Sequence, residues 1–175
     1  MEKMEQIGKA VLDYRFYPED DKYTDGAIED EMLEIARNCA PEQYERVIVE
    51  KKSWPILYHF SYLRENIIRW LPMDGSENVL EIGAGPGAIT GALCEKGRQV
   101  TVIDLSKKRC LINAYRHKDC DNLHFLVGNF QDIEPKLTEQ YDLITLIGVF
   151  EYAQFSIQSE DPFVDYLKRI RTHLA

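Results

Sequence analysis

No run in this 175-residue chain approaches eighteen apolar residues, so no stretch is long enough to span a membrane as a helix. The opening Met1-Glu2-Lys3-Met4-Glu5 carries no apolar core of the kind a secretory signal needs. No CxxC pair occurs among the four cysteines, Cys39, Cys94, Cys110 and Cys120. Cys110, His117, Cys120 and His124 fall close together in sequence, but their spacing matches no zinc site, and the reading is packing with no metal. Reduced thiols fit a cytoplasmic location. Positive charge is also scarce, with 21 Lys and Arg against 30 Asp and Glu and a net charge of −9. Such a chain is poorly equipped to grip a phosphate backbone, so neither a nucleic-acid nor a membrane partner is expected. What remains is an ordinary globular composition, 45% hydrophobic and 11% aromatic, enough for one domain or one domain with an extension.

The acidity is uneven. Residues 1–52 hold fourteen acids and eight bases, two-thirds of the net negative charge. Eight of those acids lie between Glu19 and Glu34 with one base, Lys22. The spacing does not make an EF-hand, so the run reads as a solvated turn followed by the polar face of a helix. Residues 1–72 as a whole read as a helical N-terminal extension or lid. Ile28, Met32, Ile35 and Ala36 share one helical face, and Tyr44, Val47 and Ile48 suggest a further turn or two. Ser61 can cap a helix that presents Leu63, Ile67, Trp70 and Leu71 inward and closes at Pro72.

From residue 73 onward the pattern alternates. Val79–Ile82, Val100–Ile103, Leu123–Val127 and Tyr141–Ile147 read as buried strands. Helices are expected after the glycine-rich run to Lys96, after Ser106, and after Asp161-Pro162 with Phe163, Leu167, Ile170 and Leu174 inward. Alternation with short connections implies an α/β fold with a parallel sheet and right-handed crossovers. Ligands of such sheets bind at the carboxyl ends of the strands.

The candidate cofactor residues collect there. Gly83, Gly85 and Gly87 follow the first strand, where a missing Cβ lets the backbone turn and approach a ligand. Asp104 ends the second strand, twenty-one residues after Gly83, where a carboxylate can accept both hydroxyls of a ribose. Gly83-x-Gly85-x-x-Ala88 also satisfies the loose dinucleotide fingerprint, so an NAD(P)-dependent oxidoreductase is an alternative. Glu81 weighs against it. A carboxylate two residues before the first glycine repels a pyrophosphate and favours an ammonium or sulfonium group. Pro86 removes an amide that a phosphate cradle would use.

Glu81-Ile82-Gly83-Ala84-Gly85-Pro86-Gly87 resembles the E/D-x-G-x-G-x-G motif of class I S-adenosylmethionine-dependent methyltransferases, which have a Rossmann-like fold. The resemblance implies S-adenosylmethionine as cofactor and S-adenosylhomocysteine as product. It assigns Glu81, Gly83, Ala84, Gly85, Gly87, Asp104, Leu105, Asn129, Phe130 and Ile147 to cofactor binding. Asn129 takes the adenine-amino position, where many members carry Asp. His59 and Glu151 are the candidate general bases, and Tyr58 and Tyr152 the candidate substrate contacts; His59 and Tyr152 also read as packing. The run from Trp54 to Phe60 is similar to bacterial methyltransferase domains of glycan or cell-surface polysaccharide synthesis. Ile147–Tyr152 lacks the D/N-P-P-Y/F motif of adenine-amino methyltransferases. The expected activity is therefore methyl transfer to oxygen or nitrogen of a small-molecule or glycan-type acceptor. A binding module without catalysis is a further alternative.

The resemblance also implies seven strands in the order 3-2-1-4-5-7-6. Only strands 3-2-1-4 can be placed before Ala175. The chain is thus expected to be incomplete at its C-terminus, with strand four an exposed edge that invites a homodimer.

Overall fold

The structure, a computed structural model, describes residues 3–20, 24–152 and 159–175. Asp21 and Lys22 of the acidic run lie outside the described residues. Six strands form one sheet in the order β1-β2-β5-β4-β3-β6. They are β1 (Met4–Ile7), β2 (Ala10–Phe16), β3 (Asn78–Ile82), β4 (Gln99–Asp104), β5 (Leu123–Gly128) and β6 (Leu143–Thr145). All neighbours are parallel except β1 and β2.

Both faces of the central strands are covered, which explains why they read as near-continuous apolar runs. Val79, Val100, Val102, Phe125 and Val127 face one core, built with α5 (Thr90–Lys96) and α6 (Lys107–Arg116). Leu80, Ile82, Ile103 and Leu126 face the other, with α7 (Phe130–Ile133) and α8 (Pro162–Arg171). A third cluster packs Met32, Ile35, Tyr44, Ile56 and Phe60 against Ile112 of α6. Those residues come from α1 (Ala27–Asn38), α2 (Tyr44–Lys51) and α3 (Trp54–Phe60).

The helical reading of the first 72 residues holds between Ala27 and α4 (Asn66–Arg69), and is corrected at the start. Residues 4–16 form a hairpin whose second strand pairs with β5. Its two-residue loop, Gly8-Lys9, places Gly8 at φ 60, the left-handed conformation that tight hairpin loops require.

Two inward faces are also corrected. Ser61 does accept from the Leu63 amide at 3.4 Å, but a 3-10 turn follows, and Leu63, Ile67 and Trp70 are exposed while Ile68 is buried. In α8, capped by Asp161 on the Val164 amide, Tyr166 and Ile170 are buried whereas Leu167 and Leu174 are exposed. A short helix can rotate by one residue without breaking its periodicity, so period alone does not select the face.

The acidic run is corrected too. Glu29 is fully buried and accepts from Arg109 Nε at 2.7 Å and from Thr24 Oγ1 at 2.6 Å. Asp25 accepts from Arg109 Nη2 at 2.6 Å, and Asp30 from Lys108 Nζ at 2.7 Å. These contacts fasten α1 to α6, but Asp25 and Asp30 remain exposed, as do Glu19, Asp20 and Glu34, so the solvated reading fails at Glu29.

Beyond β6, the last residues reach the sheet. Tyr141 and Leu174 form a parallel bridge, with the Tyr141 amide donating to the His173 carbonyl at 2.8 Å and the Ala175 amide to the Tyr141 carbonyl at 3.0 Å. Among the described residues, no helix is long and apolar enough to cross a membrane.

Candidate cofactor cleft

β3 runs directly into a turn that needs glycine. Gly83 has φ 71 and Gly87 φ 80, both in the left-handed region. A Cβ on Gly83 would stand 2.6 Å from Val149 Cγ2, and one on Gly87 would overlap the Asn113 side-chain amide. These glycines therefore serve close packing as well as conformation. The turn is pinned from both sides. The Gly83 amide donates to the Ile103 carbonyl at 2.8 Å, and the Gly85 amide to Asp104 Oδ2 at 2.8 Å. Arg116 Nη1 donates to the Pro86 carbonyl at 2.6 Å, with its guanidinium 4.6 Å from the Phe60 ring centroid.

A cavity of about 410 Å³ opens at the carboxyl ends of β3, β4 and β5. That volume lies within the usual range for small-molecule sites, about 300–1,000 Å³. Of the residues expected to bind a cofactor, Gly83, Gly85, Asp104, Leu105, Asn129 and Phe130 line it, and so does Tyr152. Asn129 Oδ1 caps α7 by accepting from the Gln131 amide at 3.1 Å. Phe130 is buried, with Tyr166 4.8 Å away between ring centroids. Asp104 Oδ1 accepts from the Ser106 amide at 2.9 Å, so the acid is oriented by its own loop.

Glu81, Ala84 and Ile147 line a second, smaller pocket together with Gly83, Arg64 and Thr145. Glu81 is buried and accepts from Thr90 Oγ1 at 2.7 Å. Burial pushes its carboxyl up to about 7, reinforced by the Asp104 charge and opposed by Thr90 and Arg116. Arg64 Nε and Thr145 Oγ1 are buried without a hydrogen-bond partner. Gly87 lies in the turn but lines neither pocket.

Tyr58, His59 and Glu151 do not line either pocket. Tyr58 is a platform for Arg64, whose guanidinium lies 4.0 Å from its ring centroid. His59 packs edge-on against Tyr58, and burial together with Arg109, Arg116 and Arg64 pushes its ring down to about 4. Of the four residues grouped by sequence, Cys110 is in the core with Cys120 packed against the same cluster, and His117 bonds to Asn113.

Sequence reading missed Arg109, Gly148, Val149 and Tyr166 in the larger cavity and Arg64 and Thr145 in the smaller one. The glycine following β6 was the available signal for Gly148 and Val149. Nothing local marked Arg64, because its place depends on how the N-terminal helices fold back.

A family model described as a methyltransferase domain matches residues 80–175. Over 97 residues the chain is 33% identical to an uncharacterized methyltransferase of Staphylococcus carnosus, covering 54% of this chain and 45% of that protein. Over 84 residues it is 32% identical to the ribosomal RNA small subunit methyltransferase A of Pseudomonas putida, covering 48% of this chain and 30% of that protein. The chain thus spans less than half the length of these curated relatives. Among solved structures, it is similar to phosphoethanolamine N-methyltransferase 1 of Haemonchus contortus in complex with phosphoethanolamine and S-adenosylhomocysteine. The TM-score is 0.54 at 20% identity, covering 81% of this chain and 30% of that one, a likeness of fold.

Proposed function

The chain belongs to the methyltransferase domain family, and from that premise we propose that it binds S-adenosylmethionine and passes its methyl group to oxygen or nitrogen of a small-molecule or glycan-type acceptor. One observation carries this reading: two carboxylates border the Gly83–Gly85 turn, Asp104 in the larger cavity and Glu81 in the smaller pocket. Asp104 suits the hydroxyls of a ribose. Glu81 suits a cation and repels phosphate, which disfavours the NAD(P) alternative.

The bound cofactor supplies an activated methyl on a positive sulfur, and S-adenosylhomocysteine is the product. The protein's task is then position, charge and exclusion of water. Asp104, Asn129 and Phe130, which line the larger cavity, would hold the nucleoside end. Glu81 would hold the ammonium and Arg64, which lines the same pocket, would hold the carboxylate. The acceptor would enter past Tyr152, which lines the larger cavity. The candidate bases for the proton of a hydroxyl acceptor are His59 and Glu151, neither of which lines the two pockets. Burial and the neighbouring arginines that push the His59 ring down to about 4 make it a reluctant proton acceptor at neutral pH.

The Pseudomonas relative is named for ribosomal RNA. For this chain a nucleic-acid acceptor is disfavoured by the net charge of −9 and by the sequence after β6. Among the described residues, no strand pairs with the outer side of Leu143–Thr145, and a homodimer along that edge belongs to the same proposal.

Calorimetry with S-adenosylmethionine, S-adenosylhomocysteine and NAD side by side tests the cofactor. Binding of NAD alone would refute the reading. Tritiated-methyl transfer into fractionated extract then tests catalysis and identifies the acceptor. Cofactor binding without any transfer would favour the module without catalysis.

A further inference from the structure

Beneath the glycine turn a run of polar side chains crosses the interior between β3, α5 and α6. Thr90 Oγ1 donates to Glu81 Oε2 at 2.7 Å, and Asn113 Nδ2 donates to Thr90 Oγ1 at 2.9 Å. His117 Nδ1 stands 2.7 Å from Asn113 Oδ1 and 3.1 Å from the Asn113 carbonyl. Thr90 and Asn113 are fully buried.

The geometry fixes the polarity. A carbonyl oxygen only accepts, so His117 Nδ1 carries the hydrogen. Burial and the Arg116 charge push that ring down to about 3, so it is neutral. The Asn113 oxygen faces His117 and its amide group faces Thr90. The threonine hydrogen is left to face the carboxylate. Every donor in the run therefore points toward Glu81. Aligned hydrogen bonds polarise one another, and a hydrogen bond donated to a carboxylate favours its charged form.

A buried threonine and asparagine cost desolvation that an apolar pair of similar size would avoid. This run ends on a carboxylate whose one side-chain hydrogen bond among the described residues is to Thr90. The charged groups around Glu81 are Asp104 at the end of β4, which opposes its ionisation, and Arg116 of α6, which favours it. Arg64 lines the same pocket from the turn before α4, and Thr145 of β6 adds only a hydroxyl.

We propose that Thr90, Asn113 and His117 are positioning residues that aim the Glu81 carboxylate and keep it charged for the ammonium of the bound ligand. The proposal rests on the cofactor reading above. The relay acts on one end of that ligand only, which makes it separable from general damage to the turn.

The test is calorimetry on the full chain with two probes. S-adenosylhomocysteine carries the ammonium; 5′-methylthioadenosine keeps the adenosine and the thioether but lacks the amino-acid end. Thr90→Val is expected to weaken S-adenosylhomocysteine binding about tenfold and leave methylthioadenosine within about twofold. In the parent, S-adenosylhomocysteine binding strengthens as pH rises through about 7. In Thr90→Val that midpoint moves upward, and Thr90→Ser restores both affinity and midpoint. His117→Phe keeps the ring volume and removes the far donor, and a smaller loss of about threefold is expected. Thermal unfolding checks that each variant is folded. Equal loss of both probes, an unmoved midpoint, or a Thr90→Ser variant as weak as Thr90→Val would overturn the relay. A parent that binds neither probe would instead overturn the cofactor reading, and the relay with it.

Discussion

The Gly85 amide donates to Asp104 Oδ2 at 2.8 Å, so the acid that ends β4 is tied to the turn that follows β3. The same carboxylate takes the Ser106 amide on its other oxygen at 2.9 Å. Asp104 thus shapes the cleft as well as offering it a charge. Asp104→Ala should lower S-adenosylhomocysteine affinity at least about thirtyfold, since it removes both the ribose partner and a clamp on the turn. Asp104→Asn should lose nearly as much, because one end of an amide would present N–H to a backbone N–H. Parent-like affinity in either variant, measured by calorimetry, would remove Asp104 from the site.

Glu81 sets function against stability. Its carboxyl is pushed from 4.5 up to about 7 by burial. Between those values the folded state binds more protons than the unfolded state, so stability falls as pH rises through that window. Glu81→Gln removes the titration. At pH 8 the variant should be more stable than the parent by about 2–3 kcal/mol, or several degrees in Tm, with the gain vanishing below pH 4.5. Ligand affinity should fall at the same time. Thermal unfolding of both proteins at pH 4.5 and pH 8 decides it; a variant less stable at pH 8 contradicts the assignment of a strained, desolvated carboxylate.

Glu29 and Arg109 bear on how α1 reaches the cleft. Glu29 is fully buried, and Arg109 both pairs with it and lines the larger cavity. Glu29→Gln leaves a largely buried guanidinium with Asp25 as its remaining partner in this group of acids. The expected cost is about 2 kcal/mol, below the roughly 3–5 kcal/mol of a broken buried pair because Asp25 persists. Asp30→Asn, on an exposed pair with Lys108, should cost under about 0.5 kcal/mol. Denaturant unfolding of the two variants checks the contrast; equal effects would mean that burial does not govern these pairs.

The half from β3 onward was legible because its strands are short, apolar and punctuated, and because glycine and acid mark strand ends. Glu81, Gly83 and Asp104 could be placed from spacing alone. The N-terminal hairpin was not, since Ala10–Phe16 carries Asp13 and Arg15 within the strand, and its mixed pattern hides the period of two. Gly8-Lys9 was the signal available. Glu29 looked solvated like the exposed acids around it because its partner, Arg109, lies about eighty residues away. Pairing at that separation depends on tertiary packing that no local pattern reports. The same holds for Thr90, Asn113 and His117, which are unremarkable in sequence and adjacent only because α5 and α6 pack on one face of the sheet.

Arg64 supplies the last prediction. Its Nε is buried without a partner, its guanidinium lies over Tyr58, and it lines the pocket that holds Glu81. A buried donor left unmatched costs free energy, and the protein tolerates that cost where a ligand will supply the acceptor. The amino-acid end of the proposed cofactor has one ammonium and one carboxylate, and Glu81 and Arg64 offer the opposite charge to each. Arg64→Met, which keeps the length and apolar stem, should therefore weaken S-adenosylhomocysteine about tenfold and leave 5′-methylthioadenosine unchanged. Arg64→Lys should recover only part of the loss, because a point charge cannot reproduce the planar stack on Tyr58. Tyr58→Leu should weaken binding less than Arg64→Met does, since it loosens the guanidinium without removing it. If Arg64→Met binds S-adenosylhomocysteine as the parent does, the orphaned nitrogen faces something other than this carboxylate, and Tyr58 loses its link to the cofactor as well.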